Sequence, residues 1–433
     1  MTAQAILPAT AQATARAGRR GAPLTIALLV CQLLLQRIAV PLGEDQVPVT
    51  LPVSLALLAA GFVTGEFRVR PGAARGVLVL WGTAFSCTLV AVASGLVPSL
   101  FSLLLVVAIY PVAGMTADLS ASAVRRVENV FFGIMVVAAA VSLVQLLIQV
   151  AGVPYEDYLL RVVPVDLLQQ GFNTGDPIAY GESLYRSNGV LFLEPSFVSA
   201  YLGLATALAL YRGRSALLVS VLLAGMLPPL AGSGFVVLLP AVLVMAFSTK
   251  RRRNLLALAP ALVIALVVAL TTPLGERYVA RSDEGGGGNT NTSTSLRLLL
   301  PYESLLPPSV ADVGTAFTGH GAGSAEDYLR ENGLSSVTAP LLPKVAYEYG
   351  ILGVVGIVGA LVALLAAAAV RRPWIVGVAV LFLYVNASFL QNTLVMMAFF
   401  WASFLPYDDD LDGLHPVTRA DDGAYRQPPG VSR

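Results

Sequence analysis

Charge, and the residues of metal and redox chemistry, are what this chain has least of. In 433 residues there are two cysteines, Cys31 and Cys87, two histidines, His320 and His415, and two lysines, Lys250 and Lys344; only 12% of the residues are charged. Each cysteine sits in the middle of an apolar run, which fits a small packing residue better than a disulfide or metal site. No Ser-His-Asp order, zinc spacing or His-Glu-x-x-His occurs, so membrane proteolysis and metal-dependent hydrolysis have no sequence support. A formal net charge of +1 excludes the broad basic surface that nucleic acid requires. The glycine-rich runs lack the Lys-Ser/Thr of a phosphate loop, and no cofactor is expected.

Apolar sequence is what fills the chain. With 56% hydrophobic residues and a mean hydropathy of +0.75, it is too apolar for an ordinary soluble domain. A helix needs roughly 20 apolar residues to cross about 30 Å of hydrocarbon. On that measure the runs near 24–41, 48–65, 76–94, 97–115, 129–151, 195–211, 215–231, 235–248, 255–272, 349–369, 374–390 and 394–406 predict an all-α polytopic membrane protein of about twelve transmembrane helices. The first run has no small-residue cleavage site after it and reads as a retained span.

Basic residues test the orientation independently. Arg68, Arg70 and Arg75, then Arg125 and Arg126, Arg212 and Arg214, Lys250 to Arg253, and Arg371 and Arg372 fall in alternate short loops, while most acidic residues fall in the others. That positive-inside asymmetry predicts both termini in the cytoplasm. The domain plan is a disordered tail over 1–23, one transmembrane domain over 24–406, and a second disordered tail over 407–433. The run Asp408-Asp-Asp410-Leu-Asp412 in that second tail reads as solvated. Two outer loops are long, about 153–189 and 273–343, and long connections between packed helices tend to carry function. In the first, Tyr155 to Gln169 mixes charges with Leu and Val and predicts an interfacial helix. In the second, Ser295 to Pro301 predicts another, Ser324 to Gly333 a short helix with a capping-box start and a glycine stop, and Gly285 to Ser295 a mobile flap.

The candidate site residues lie in or beside those loops. Arg186 begins Arg186-Ser-Asn-Gly189 and leads to Glu194-Pro195-Ser196 at the start of the sixth run. Pro195 suits a first helical position, and Glu194 suits the cap, where the helix dipole favours a carboxylate. An arginine at headgroup level can grip a diphosphate through its paired donors, or snorkel to lipid phosphates. Arg297 lies on a similar apolar segment. His320 stands in Gly319-His-Gly-Ala-Gly323, where a backbone nest for an anion is one reading and a solvated loop histidine another. Lys344 and Glu348, four apart, share a helix face at the mouth of the tenth run, where charge is costly unless paired or functional. Beyond them Gly350, Gly353, Gly356 and Gly359 form a ridge for close helix packing.

The order Arg186-Ser-Asn-Gly…Glu194-Pro-Ser196, Thr294-Ser-Leu-Arg297, Gly319-His-Gly-Ala-Gly323, then Glu348-Tyr-Gly-Ile-Leu-Gly353 resembles the bacterial O-antigen polymerase and O-antigen ligase family. The resemblance is strongest over about 186–356. It implies a GT-C-like, metal-independent inverting glycosyltransferase in the bacterial cytoplasmic membrane, whose donor is an oligosaccharide on undecaprenyl diphosphate at the outer face. Arg186, Arg297 and Lys344 would then bind the diphosphate and substrate, and Glu194, His320 and Glu348 are the candidates for the catalytic base, all within one cavity between the two long loops. Membrane lipids are the other expected partners, and the cytoplasmic loops leave room for a chain-length regulator. Ligases of the family place a His-Asn/Ser pair shortly before the Glu-x-Gly entry; residues 335–344 here hold no histidine, and Glu194-Pro-Ser196 looks more polymerase-like, so polymerase is favoured over ligase. A transporter of similar span number, and a metal-dependent transferase using Glu44-Asp45, are the rival classes.

Overall fold

The computed structural model describes residues 22–43, 45–178, 184–248, 252–260, 262–263, 267, 271, 295–334, 337–385 and 389–406. Nearly all of the first tail, most of the ninth apolar run, the four-glycine run with the flap up to Thr294, and the tail from Tyr407 lie outside them.

Among the described residues three helices are long and apolar enough to cross a membrane: Pro71–Ala93 (α3), Ala121–Val150 (α5) and Leu341–Arg371 (α12). With the composition, they place the chain among predominantly helical, membrane-associated proteins. The other apolar helices are shorter: Pro23–Leu34 (α1), Thr50–Thr64 (α2), Leu100–Ile109 (α4), Pro195–Tyr211 (α6), Ala216–Gly225 (α7) and Ser233–Ala246 (α8). The first predicted run is the clearest departure from expectation. Its helix stops at Leu34, and Ala39–Leu42 (β1) pairs antiparallel with Asp45–Pro48 (β2) around Gly43. Pro41 lacks the amide a continuing helix needs, and the left-handed Gly43 suits the tight turn.

Helix α6 is the axis of the bundle, buried along its length from Pro195 to Leu210. Its neighbours approach closely because small residues meet there: a Cβ on Gly203 would overlap the Gly234 carbonyl of α8, and one on Gly225 would overlap Ala139 of α5. Small-residue contacts of this kind hold helices together where lipid removes the hydrophobic drive between them.

At one end, Phe67–Val69 (β3) pairs with Met115–Ala117 (β4), and Phe404 packs edge-on against Phe67. Glu66, buried beside this sheet, accepts from the amide of Thr25 at 2.9 Å and its hydroxyl at 2.8 Å, which caps the N-terminus of α1. The last two apolar segments, Pro373–Val385 (α13) and Asn392–Phe404 (α14), reach only about 20 Å each. They fold back on one another: Trp374 and Trp401 lie 5.8 Å apart, and Arg372 donates to the carbonyls of Leu405 (2.8 Å), Trp401 and Pro406. Toward the tip, the Phe389 carbonyl accepts from Tyr110 at 2.9 Å, and Asn392 donates to Thr50 at 3.1 Å.

The first long loop contains no interfacial helix over 155–169. It has two short 3-10 turns, Tyr158–Arg161 and Val165–Leu167; Glu156 and Arg161 pair with each other at the surface, and Asp157 is committed to a tertiary contact. Arg37, buried at the end of α1, makes a two-pronged pair with Asp157 and donates to the Val190 carbonyl at 2.8 Å. Burial raises the Asp157 carboxyl, but the Arg37 guanidinium more than offsets it and holds it below its ordinary 3.8. A depressed carboxyl contributes stability that is full above its unfolded value and is lost as pH falls through the folded one. Residues 153–178 should therefore become protease-sensitive as the pH is taken below about 3.8. In Arg37→Gln the sensitivity should already be present at neutral pH; equal resistance of the two proteins at every pH would refute this anchoring role.

Candidate functional site

The second long loop folds over the N-terminal part of α12. Ser295–Leu299 forms a π-turn that runs into Leu300–Ser309 (α9), so the helix expected from Ser295 continues further than its apolar stretch. Val313–Thr318 (α10) and Ser324–Glu331 (α11) follow. The stop at Gly333 is as expected: its amide bonds to Arg330 and that of Leu334 to Leu329, a closed helix end with a hydrophobic contact outside it. The start differs. Gly323, not Ser324, is the cap, no side chain caps the helix, and the Ser324 hydroxyl donates to the Gly321 carbonyl at 2.7 Å. Leu305, Ala325, Leu329, Val337, Ala339 and Tyr347 make a small core separate from that of the bundle.

Between α10 and α11, the run Gly319-His320-Gly321-Ala322-Gly323 is laid against a break in α12. Gly350 has φ 60° and ψ −160°, a conformation that L side chains rarely adopt, and it interrupts the helix. Just before the break, the Tyr347 carbonyl accepts from the His320 amide at 3.0 Å and the Glu348 carbonyl from the Gly321 amide at 2.7 Å. The fit has no room for a Cβ on either side. One on Gly319 would overlap the Glu348 carbonyl, and one on Gly350 would meet the Phe317 carbonyl and the Gly319 nitrogen. The other edge of the loop is fixed to the start of α4, where the Ser99 amide donates to the Ala322 carbonyl at 2.7 Å. After the break, α12 still has roughly 20 apolar residues, about 30 Å. Of the predicted glycine ridge, Gly356 packs on Thr83 of α3, whereas Gly359 touches nothing and Gly350 serves the joint.

The joint gathers three of the six candidate residues. His320 lies flat on Tyr347 with ring centres 4.2 Å apart, and Tyr328 covers the same tyrosine at 5.2 Å. His320 Nδ1 is 3.1 Å from the Tyr347 carbonyl. A carbonyl can only accept, so Nδ1 carries a proton, which leaves Nε2 as the nitrogen turned away from this contact. Lys344 and Glu348 form the expected pair at 2.8 Å, with the Glu348 side chain 0% exposed and that of Lys344 4%. Sequence reading missed the third member. Glu326, on α11, forms an ion pair with the same Lys344 ammonium. Only its place in the first turn of a short helix could have singled it out, and that position is equally explained by the helix dipole.

Arg186 and Glu194 belong to a second group, on the first long loop. Arg186 is buried; it donates through Nε to the Pro229 carbonyl at 3.0 Å and through Nη1 to Asp176 at 2.8 Å. Glu194 caps α6 in position but not through its side chain: its oxygens accept from the Asn173 amide at 3.3 Å and the Ser196 hydroxyl at 3.0 Å. Next to Arg186, Ser187 and the Gly189 amide both bond the Gln145 side chain of α5. Backbone strain surrounds this group. Val190 (φ 65°) and Leu230 (φ 43°) are the two non-glycine residues in the left-handed region among the described ones. A β-branched residue there costs about 1–3 kcal/mol and tends to mark a functional segment. Asp176, the acidic partner of Arg186, was not singled out by sequence either. The Arg297 backbone falls in the Ser295–Leu299 π-turn, and its side chain lies outside those described.

No family model and no curated protein matches the chain.

Proposed function

We propose that the chain is a membrane-embedded inverting glycosyltransferase that polymerises oligosaccharide repeat units carried on undecaprenyl diphosphate, at the outer face of the bacterial cytoplasmic membrane. The observation that carries this reading is the joint itself. The two most distinctive motifs of the family resemblance, Gly319 to Gly323 and Glu348 to Gly353, are opposite sides of one contact, with His320, Lys344, Glu348 and Glu326 gathered at it. Such a site, above a helix long enough to cross the membrane, suits a substrate whose lipid stays in the bilayer and whose sugars project outward. In this reading there are about twelve membrane-embedded segments with both termini inside, and the two long loops face the periplasmic or external side.

Arg186 grips the diphosphate by exchanging the Asp176 carboxylate for phosphate oxygens, two acceptors that the guanidinium binds in the same forked manner. Arg297 acts with it. Positive charge at that point stabilises the negative charge that develops on the leaving diphosphate.

Deletion of the gene in its native host tests the reading. Accumulation of single lipid-linked repeats supports a polymerase; finished polymer left on its lipid indicates a ligase; substrate retained on the inner leaflet indicates a transporter. Arg186→Ala and Arg297→Ala should each reproduce the deletion phenotype. Because Arg186 also holds its own loop together, its variant is to be compared at matched protein level. Normal polymer from both variants would dispose of the diphosphate grip.

A further inference from the structure

Of the ionisable side chains at the joint, two are carboxyls that share one ammonium. Lys344 sits between them, buried. Glu348 is 0% exposed, and neither of its oxygens receives a hydrogen bond among the described residues; Lys344 at 2.8 Å is its charge partner. Glu326 is 59% exposed. Both carboxyls meet the same ammonium, so each lies within the field of the other. Two carboxylates against one ammonium leave the cluster one negative charge in excess, so uptake of one proton makes it neutral in surroundings where net charge is costly.

We propose that Glu326 is the catalytic base of the glycosyl transfer, with Lys344 and Glu348 as positioning residues behind it. This rests on the glycosyltransferase reading above. Glu348 is sealed from any substrate, whereas Glu326 presents the one carboxyl of the cluster that an acceptor sugar can touch. Burial of its surroundings raises the Glu326 carboxyl, and the Lys344 charge more than offsets this, so the group is ionised and able to accept a proton. In the step itself the acceptor hydroxyl oxygen forms the new bond to the anomeric carbon, and its proton passes to Glu326. The electron pair of the breaking sugar–oxygen bond leaves on the diphosphate. An inverting transfer is well served by a carboxylate here, since the hydroxyl becomes acidic as the bond to a cation-like carbon forms. Glu348 offers the proton a second carboxyl after transfer, and Lys344 fixes both. His320 holds Tyr347 and the loop in register.

The test uses full-length protein in host membrane vesicles loaded with the lipid-linked repeats that accumulate in the deletion strain. Glu326→Gln keeps an oxygen for Lys344 and should fold with an unchanged melting temperature, yet polymerise about 100- to 10,000-fold more slowly, the usual range for loss of a general base. The loss should fall on kcat rather than KM, the acid limb of the wild-type pH profile should disappear, and Glu326→Asp should recover part of the rate. A Glu326→Gln rate within about tenfold of wild type overturns the assignment, as does an unchanged pH profile. His320→Gln serves as the rival arm: abolition there, with Glu326→Gln nearly normal, moves the base to His320 Nε2. If deletion of the gene leaves the glycans untouched, it is the glycosyltransferase reading that has failed, not the choice of base.

Discussion

Gly350→Ala is expected to inactivate the protein and to release the second long loop from the bundle. The residue sits at φ 60°, and an added Cβ would be driven into the Phe317 carbonyl and the Gly319 nitrogen. Holding a non-glycine residue in the left-handed region costs about 1–2 kcal/mol, and overpacking a closed contact typically costs about 1–3 kcal/mol more. The neighbouring atoms are backbone, so they cannot rotate away as a side chain would. Either the helix straightens or the loop lifts, and both outcomes separate Glu326 and His320 from Lys344 and Glu348. Limited proteolysis of purified protein should show new cleavage within 310–335, with the remainder of the bundle resistant, and polymer formation should fall below detection. Gly319→Ala should behave alike, because its Cβ would strike the same contact from the opposite side. Gly359→Ala is the control: nothing lies within 4 Å of that position, and a helical glycine replaced by alanine is expected to be neutral or slightly stabilising. Wild-type resistance to protease in Gly350→Ala would show that the joint does not hold the loop.

The two halves of this joint were visible in the sequence as glycine-punctuated motifs, but the contact between them was not. A glycine run reports that backbone must come close to something, without saying to what. The Lys344–Glu348 pair was legible because it is local, fixed by the four-residue spacing of a helix face. Glu326 was not, since its contact with Lys344 depends on how α11 packs against α12. Tyr155 to Gln169 misled for the same reason in reverse: the alternation of charge with Leu and Val looked amphipathic, while Asp157 was committed to Arg37, far away in the chain. The end of α1 at Leu34 is hidden in the sequence because hydropathy integrates over a window and is blind to the change from helix to strand inside an apolar run. The sequence leaves Arg186 between a diphosphate ligand and an arginine that snorkels to lipid phosphates, yet in the fold it already has Asp176 and the Pro229 carbonyl. Its local sequence contains nothing that distinguishes an arginine waiting for phosphate from one that is already paired.

Charge patterning has a related blind spot. The positive-inside rule counts crossings only by parity, so two full spans and one hairpin that enters and leaves by the same face satisfy it equally. Helices α13 and α14, each about 20 Å long and joined at the ends away from their tip through Trp374, Trp401 and Arg372, have the dimensions of the second arrangement. At their tip the Phe389 carbonyl accepts from the Tyr110 hydroxyl and the Asn392 side chain donates to the Thr50 hydroxyl, so these polar groups are satisfied inside the protein, the condition under which irregular backbone is tolerated away from water.

Lys344→Met should be the most destabilising single change at the joint. Lys344 is the cation for both Glu326 and Glu348, and Glu348 has no exposure to water through which to lose the penalty. Breaking a buried pair by removing one partner costs about 3–5 kcal/mol, because the remaining charge is left uncompensated. Here two carboxyls would also be left facing each other. Thermal unfolding in detergent should show the midpoint falling by several degrees. The informative comparison is the double variant Lys344→Met with Glu348→Leu. Replacing both members of a buried pair with apolar groups of similar volume is often neutral or even stabilising, so the double variant should recover most of the lost midpoint. Its recovery, measured as a double-mutant cycle with Glu348→Leu alone, gives the coupling directly. Stability and activity then part company. The double variant should be folded but no more active than Lys344→Met, since Glu326 would have lost the ammonium that holds it in place. An unchanged midpoint in Lys344→Met would mean that Glu348 takes up a proton without cost, and that the ammonium is dispensable to the fold.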